Sequence, residues 1–207
     1  NKFTSALNQL KVKAAESDAN GIDGVMVVGD LIQRAEITMA QNFKALYEDV
    51  FKPTEVPMIY TIGNHDMNPK YDWTPSTVAQ SVAMANTFGD EYFKTDIDNT
   101  MRNNYEARHS VIGGYHILAV TPNGDQPITY SPNVITWLDQ QLDAITKTDP
   151  NRYVIVLTHP MIYNTIYGSL LGEDGGVWTS TLPNYWATRV LTGVLEKYPQ
   201  VLSLIHI

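Results

Sequence analysis

The sequence predicts an α/β fold with a mixed sheet system, and three observations carry that prediction. Three short apolar segments end in polar residues: Val25 to Val28 runs into Gly29-Asp30, Met58 to Ile62 into Gly63-Asn64-His65-Asp66, and Tyr153 to Leu157 into Thr158-His159-Pro160. Stretches with apolar residues at helical spacing separate these segments. A Gly113-Gly114 pair between two strand-like runs signals a hairpin, so an antiparallel element interrupts the α/β alternation.

Taken in order, Phe3, Ala6, Leu7, Leu10 and Ala14 mark a first helix, and the strand around Val25 follows. Met39, Phe43, Leu46, Tyr47 and Val50 mark a second helix that ends before Pro53, ahead of the strand reaching Ile62. This β-α-β order predicts two parallel strands with a right-handed crossover, and it puts Asp30 and Asn64 at the same end. Beyond the polar loop Met67-Asn68-Pro69-Lys70, Thr74 and Pro75 supply a cap and first position for a helix that Gly89 stops. Arg108 to Ile112 and Tyr115 to Thr121 are the arms of the hairpin. Ser131-Pro132 starts a helix carrying Val134, Leu138, Leu142 and Ile145, which leads to the strand before His159.

Residues 160 to 184 form a long connection holding Gly168, Gly172, Gly175, Gly176 and Pro183. Connections of that length are usually functional or mobile. Tyr163, Tyr167 and Trp178 within it read either as a substrate-facing lid or as packing that anchors the loop. Ala187, Val190, Leu191, Val194 and Tyr198 give a last helix before Pro199, and Val201 to Ile205 begin a final strand. No repeat or linker divides the chain, so residues 1 to 207 are expected to form one domain. Both ends read as cuts, so that domain is expected to be truncated.

Composition narrows the function. A hydrophobic fraction of 43% with 17% charged residues is ordinary for a globular chain, and no apolar run approaches the roughly 20 residues of a membrane span. The net charge of −8, with basic residues scattered, argues against an extended nucleic-acid surface. An acidic protein still handles phosphates where bound cations invert the local potential. The absence of cysteine excludes disulfides, thiolate metal sites and a cysteine nucleophile, without fixing a compartment.

In α/β sheets, ligands bind at the carboxyl ends of the strands. Asp30, Asn64 and His159 bring a carboxylate, an amide oxygen and an imidazole to such ends, a donor set suited to manganese, iron, zinc or cobalt. His65 stands next to Asn64 and is available for acid–base work, with Asp66 placed to orient it. A Gly-Asp pair alone is also an ordinary turn or helix entry; the weight comes from the three segments together. His109 and His116, on either side of the glycine turn, read as solvated or satisfied strand histidines. No Gly-x-Ser-x-Gly elbow, phosphate-binding P-loop or Gly-x-Gly-x-x-Gly is present.

Gly29-Asp30, Gly63-Asn64-His65-Asp66 and His159, in this order and each after a strand, resemble blocks of the calcineurin-like metallophosphoesterase superfamily. Its blocks run Asp-x-His, Gly-Asp, Gly-Asn-His-(Asp/Glu), His and Gly-His-x-His. The resemblance implies an α/β fold, a four-layer α/β/β/α sandwich of two mixed sheets, here incomplete at both ends. It also implies hydrolysis of a phosphomonoester or phosphodiester, a small-molecule substrate class, by a dinuclear centre of two divalent ions. On the matching positions, Asp30 corresponds to the carboxylate that bridges both ions, and Asn64 and His159 to ligands of the second. His65 corresponds to the group that contacts phosphate and protonates the leaving oxygen, with Asp66 behind it.

Two departures accompany the resemblance. No Asp-x-His occurs in the sequence, and the last block is reduced to Leu204-Ile205-His206-Ile207, where His206 reads either as that block's first histidine, a metal ligand, or as part of a divergent end. The chain as given is therefore expected to be weakly active or inactive. The alternative is a non-catalytic domain that keeps the fold for binding or structure.

Overall fold

The computed structural model describes residues 2–16, 21–52, 55–67, 107–122, 130–160, 162 and 182–205, with the backbone alone at Asn64, Met67 and 182–188. The expected helix from Thr74 to Gly89, the aromatic residues Tyr163, Tyr167 and Trp178, and His206 lie outside the described residues.

The first half is the expected β-α-β unit. Helix α1 (Lys2–Ala14) precedes strand β1 (Val25–Val28), and helix α2 (Ile37–Val50) crosses to strand β2 (Met58–Thr61). The two strands are parallel, with Val25 opposite Met58 and Val28 opposite Thr61, so Asp30 and Asn64 emerge at the same end. The apolar stripe of α2 buries Ala40, Phe43, Tyr47 and Val50, as its periodicity predicts. The Tyr47 hydroxyl donates to the Val56 carbonyl at 2.7 Å, and Phe3 of α1 stacks on Phe43 with 4.7 Å between ring centroids. A single turn of helix, α3 (Asn64–Met67), follows β2 directly.

The second half builds a mixed sheet in the order β3-β4-β5-β6, from β3 (Ala107–Ile112), β4 (Tyr115–Val120), β5 (Val154–Leu157) and β6 (Val201–Ile205). The expected hairpin pairs β3 and β4 antiparallel, with Ile112 opposite Tyr115 across Gly113-Gly114. Strands β4, β5 and β6 then run parallel. Among the described residues the mixing is confined to this sheet, since β1 and β2 form a purely parallel pair. Helix α4 (Pro132–Thr148) starts as its sequence predicts: the Ser131 hydroxyl accepts from the Val134 amide at 3.2 Å, and Pro132 occupies the first turn, where a missing N–H costs nothing. Helix α5 (Leu182–Leu195) leads into β6.

Strand alternation sorts the apolar side chains into separate cores. Met58 and Tyr60 of β2 pack with Leu7, Phe43 and Tyr47 of the first two helices. Leu118 and Val120 of β4, and Val154 and Val156 of β5, pack with Leu138, Leu142 and Leu191 of α4 and α5. The intervening residues Ile59, Ile117, Ala119 and Leu157 meet in a third cluster that joins the two sheets. Among the described residues no helix is long and apolar enough to cross a membrane.

Candidate metal centre

The sheets meet where the carboxyl ends of β1, β2 and β5 converge. Just past β1, Gly29 and Asp30 both take left-handed backbone angles, φ 85° and 53°, and Asp30 is the one non-glycine residue to do so among those described. Such a conformation is sterically disfavoured for an L-residue, although aspartate tolerates it better than most. It turns the chain sharply, so that the Asp30 carboxylate stands over the start of α3. One carboxylate oxygen, Oδ1, accepts from the His65 main-chain N–H at 3.1 Å.

His159, two residues past the end of β5, reaches across to the other sheet. Its Nδ1 donates to the carbonyl of Val28 at 2.8 Å. That bond fixes the ring and its tautomer: the proton on Nδ1 directs the neutral ring's Nε2 lone pair elsewhere, the usual arrangement of a metal-ligating histidine. The direction is toward Asp30, whose Oδ1 lies 3.6 Å from Nε2. On the opposite side, His65 Nε2 lies 4.0 Å from Asp30 Oδ2. The two imidazoles thus flank the two oxygens of one carboxylate.

Glycines make that approach sterically possible. A Cβ on Gly29 would collide with the His159 ring and the Gly63 Cα, and one on Gly63 would collide with Asp30 and the His159 ring. These two positions require glycine for space, and Gly29 also for its φ.

Asp66 is engaged by main-chain amides. Its side chain is fully buried, and its two oxygens accept from the main-chain amides of Ile32 at 3.0 Å and Gly63 at 2.8 Å. It therefore ties the segment after β1 to the segment after β2 and holds Asp30 in place. Burial pushes its pKa up to about 7, against the amide hydrogen bonds that pull it down. The His65 ring is met instead by Gln33, whose carbonyl oxygen lies 3.1 Å from Nδ1. Nothing in the sequence pattern marks Gln33, and the Val28 carbonyl is equally invisible there because it is main chain.

Of the residues expected at the site, Asp30, His65, Asp66 and His159 are brought together, and Asn64 begins α3 beside them. Among the described residues no group of three or more His, Cys, Asp or Glu side chains is arranged to hold a metal ion. The Asp30–His159 pair nevertheless fits one chemically. An oriented imidazole nitrogen and a carboxylate oxygen 3.6 Å apart are spanned by one cation at about 2.0 to 2.2 Å from each.

His109 and His116 stand elsewhere, and they are satisfied strand histidines as expected. His109 Nε2 and His116 Nδ1 are 2.8 Å apart, His109 Nδ1 is 3.1 Å from Gln141 Oε1, and His116 Nε2 is 3.3 Å from Asp149 Oδ2.

None of the curated proteins compared with the chain is similar enough to count as a match. The family model of the calcineurin-like phosphoesterases matches residues 1–193, which takes in every site residue described above. With strands, turn and donors in that family's order, the chain belongs to the calcineurin-like phosphoesterases, the metallophosphoesterase superfamily.

Proposed function

We propose that this chain carries the core of a hydrolase that cleaves a small-molecule phosphomonoester or phosphodiester with two divalent ions of manganese, iron, zinc or cobalt. The observation that carries the reading is the Asp30 carboxylate set between His159 Nε2 and His65 Nε2, at 3.6 Å and 4.0 Å. Asp30, Asn64, His159 and His206 would hold the ions, with Asp30 in the place of the carboxylate that the family resemblance assigns to both. Such ions, when bound, polarise the phosphoryl oxygens and stabilise the charge that develops during in-line attack by water.

The protein's own part is positioning and proton transfer. His159 keeps its ligating nitrogen aimed by donating the other ring proton to Val28. Asp66 holds the Asp30 turn and the α3 turn at a fixed separation through the amides of Ile32 and Gly63. His65 stands at the exposed edge, where its Nε2 delivers a proton to the departing oxygen, a contribution of about 10² to 10⁴ in rate.

The test is metal analysis with a panel of phosphoester substrates, on the chain and on Asn64→Ala. Turnover should require added divalent metal, and Asn64→Ala should lower both metal content and rate. Undiminished turnover of Asn64→Ala in chelator would overturn the metal assignment. Failure to take up divalent metal would favour the non-catalytic domain.

A further inference from the structure

Helix α2 carries more apolar surface than it buries. Ala40, Phe43, Tyr47 and Val50 form its buried face, while Met39, Asn42 and Leu46 follow one another at helical spacing along the flank beside it. Met39 and Leu46 are only partly buried there. Against that flank lies a cavity of about 410 Å³, a size that holds a small organic molecule, with Phe3 of α1 and Val27 of β1 as its other apolar walls. The cavity begins at the candidate metal centre. Asp30 lines it, and so does Gln33, whose main-chain oxygen lies 3.1 Å from His65 Nδ1. Asp30 is the one charged residue among those lining it, and its other polar groups are the uncharged amides of Gln33 and Asn42.

We propose that this cavity takes the alcohol part of the phosphoester and that this alcohol is uncharged and largely apolar. The assignment rests on the phosphoesterase reading above and narrows its substrate class. Asp30 and His65 mark the reacting end, and Gln33 joins that end to the cavity. On hydrolysis the phosphorus–oxygen bond to the alcohol breaks, the oxygen of water joins phosphorus, and the alcohol leaves with one of water's protons. A nucleotide or sugar bisphosphate brings a second anion, and no lysine, arginine or histidine lines the cavity to meet it. A polyol brings hydroxyls that would lose water against Phe3, Val27, Met39 and Leu46 with no partner in exchange. An apolar alcohol has neither cost and gains by leaving water.

The experiment has two arms. In the first, naphthylmethanol is titrated into the chelated chain and followed by amide NMR shifts, which should concentrate in α2 and in the turn from Leu31 to Gln33, with glycerol causing none. Asn42 is exposed, so Asn42→Trp fills the mouth without entering the core, which its urea midpoint checks. It should weaken naphthylmethanol binding about tenfold. In the second arm the metal-loaded chain is given naphthylmethyl phosphate and glycerol phosphate, both esterified at a primary carbon so that the leaving oxygens are alike. The value of kcat/KM should favour the naphthylmethyl ester by about tenfold or more, within what a hydrophobic pocket discriminates, and Asn42→Trp should remove most of that preference by raising KM. Shifts centred elsewhere, binding unmoved by Asn42→Trp, or equal turnover of the two esters overturns the cavity assignment and leaves the phosphoesterase reading in place. Metal uptake without turnover of either ester brings down the phosphoesterase reading, and the substrate assignment with it, even where the naphthylmethanol shifts fall as stated.

Discussion

Two pairs of histidines occupy this molecule, each beside an aspartate, and they are built to opposite ends. In the pair on the α4 face of the larger sheet, both nitrogens of both rings are engaged by protein groups within 3.3 Å: Gln141, the partner ring and Asp149. Asp149 is in turn held by Arg152 at 2.8 Å. The chain of bonds is closed, and its product is structure. At the meeting of the sheets, His159 and His65 each have Nδ1 against main-chain oxygen and face Asp30 with Nε2 at 3.6 Å and 4.0 Å, longer than a hydrogen bond. Residue type therefore does not separate the two pairs. What separates them is the aspartate, which lies within hydrogen-bond distance of His116 in one pair and at 3.6 Å and 4.0 Å from the rings in the other, the spacing on which the proposed metal centre rests.

The sharpest way to expose the strain of the open site is pH. Asp66 moves from the usual 3.8 to about 7 on folding because it is buried. Between those values the folded state binds the extra proton, so stability falls as pH rises through the window. The fall amounts to about 4 kcal/mol at most. It should appear as the difference between native protein and Asp66→Asn, measured by urea unfolding in chelator from pH 4 to pH 8. A flat difference would mean that Asp66 ionises as readily folded as unfolded.

Next in size is Gly29→Ala. The substitution adds a Cβ at φ 85° and drives it into the His159 ring. It should cost about 3 kcal/mol and should abolish metal uptake, as read by the urea midpoint and by metal analysis. The comparison itself breaks or holds on the histidines. His109→Leu, which strands Gln141 and His116, should cost about 2 kcal/mol with metal content and turnover unchanged. His159→Leu should change stability by about 1 kcal/mol or less and lose metal and turnover. If both variants lose activity alike, the two histidine groups are not the separate devices described here.

Much of this was legible in the residues. Four-residue apolar runs such as Val25 to Val28, each ending on a polar group, are enough to set strand ends. The Ser131-Pro132 start and the Gly113-Gly114 turn follow local rules that tertiary context did not override. His109 and His116 were readable as bland because they flank a hairpin rather than follow a strand end. The amide bonds of Asp66 were not readable, since they join its buried oxygens to main-chain groups 3 and 34 residues away. Gln33 was missed for a related reason: the glycine–aspartate turn that brings it to His65 depends on backbone angles that no residue pattern displays.

Asp66 also has a consequence for how families of such chains would be compared. Its partners are N–H groups, which every residue except proline supplies. The pairing of position 66 with position 32 is thus an energetic coupling that leaves no correlated substitutions, because changing the side chain at Ile32 does not remove the bond. A search for co-varying positions would pass over one of the cross-links that shape the site. Its trace would instead be a veto, with proline missing at position 32 wherever an aspartate stands at 66.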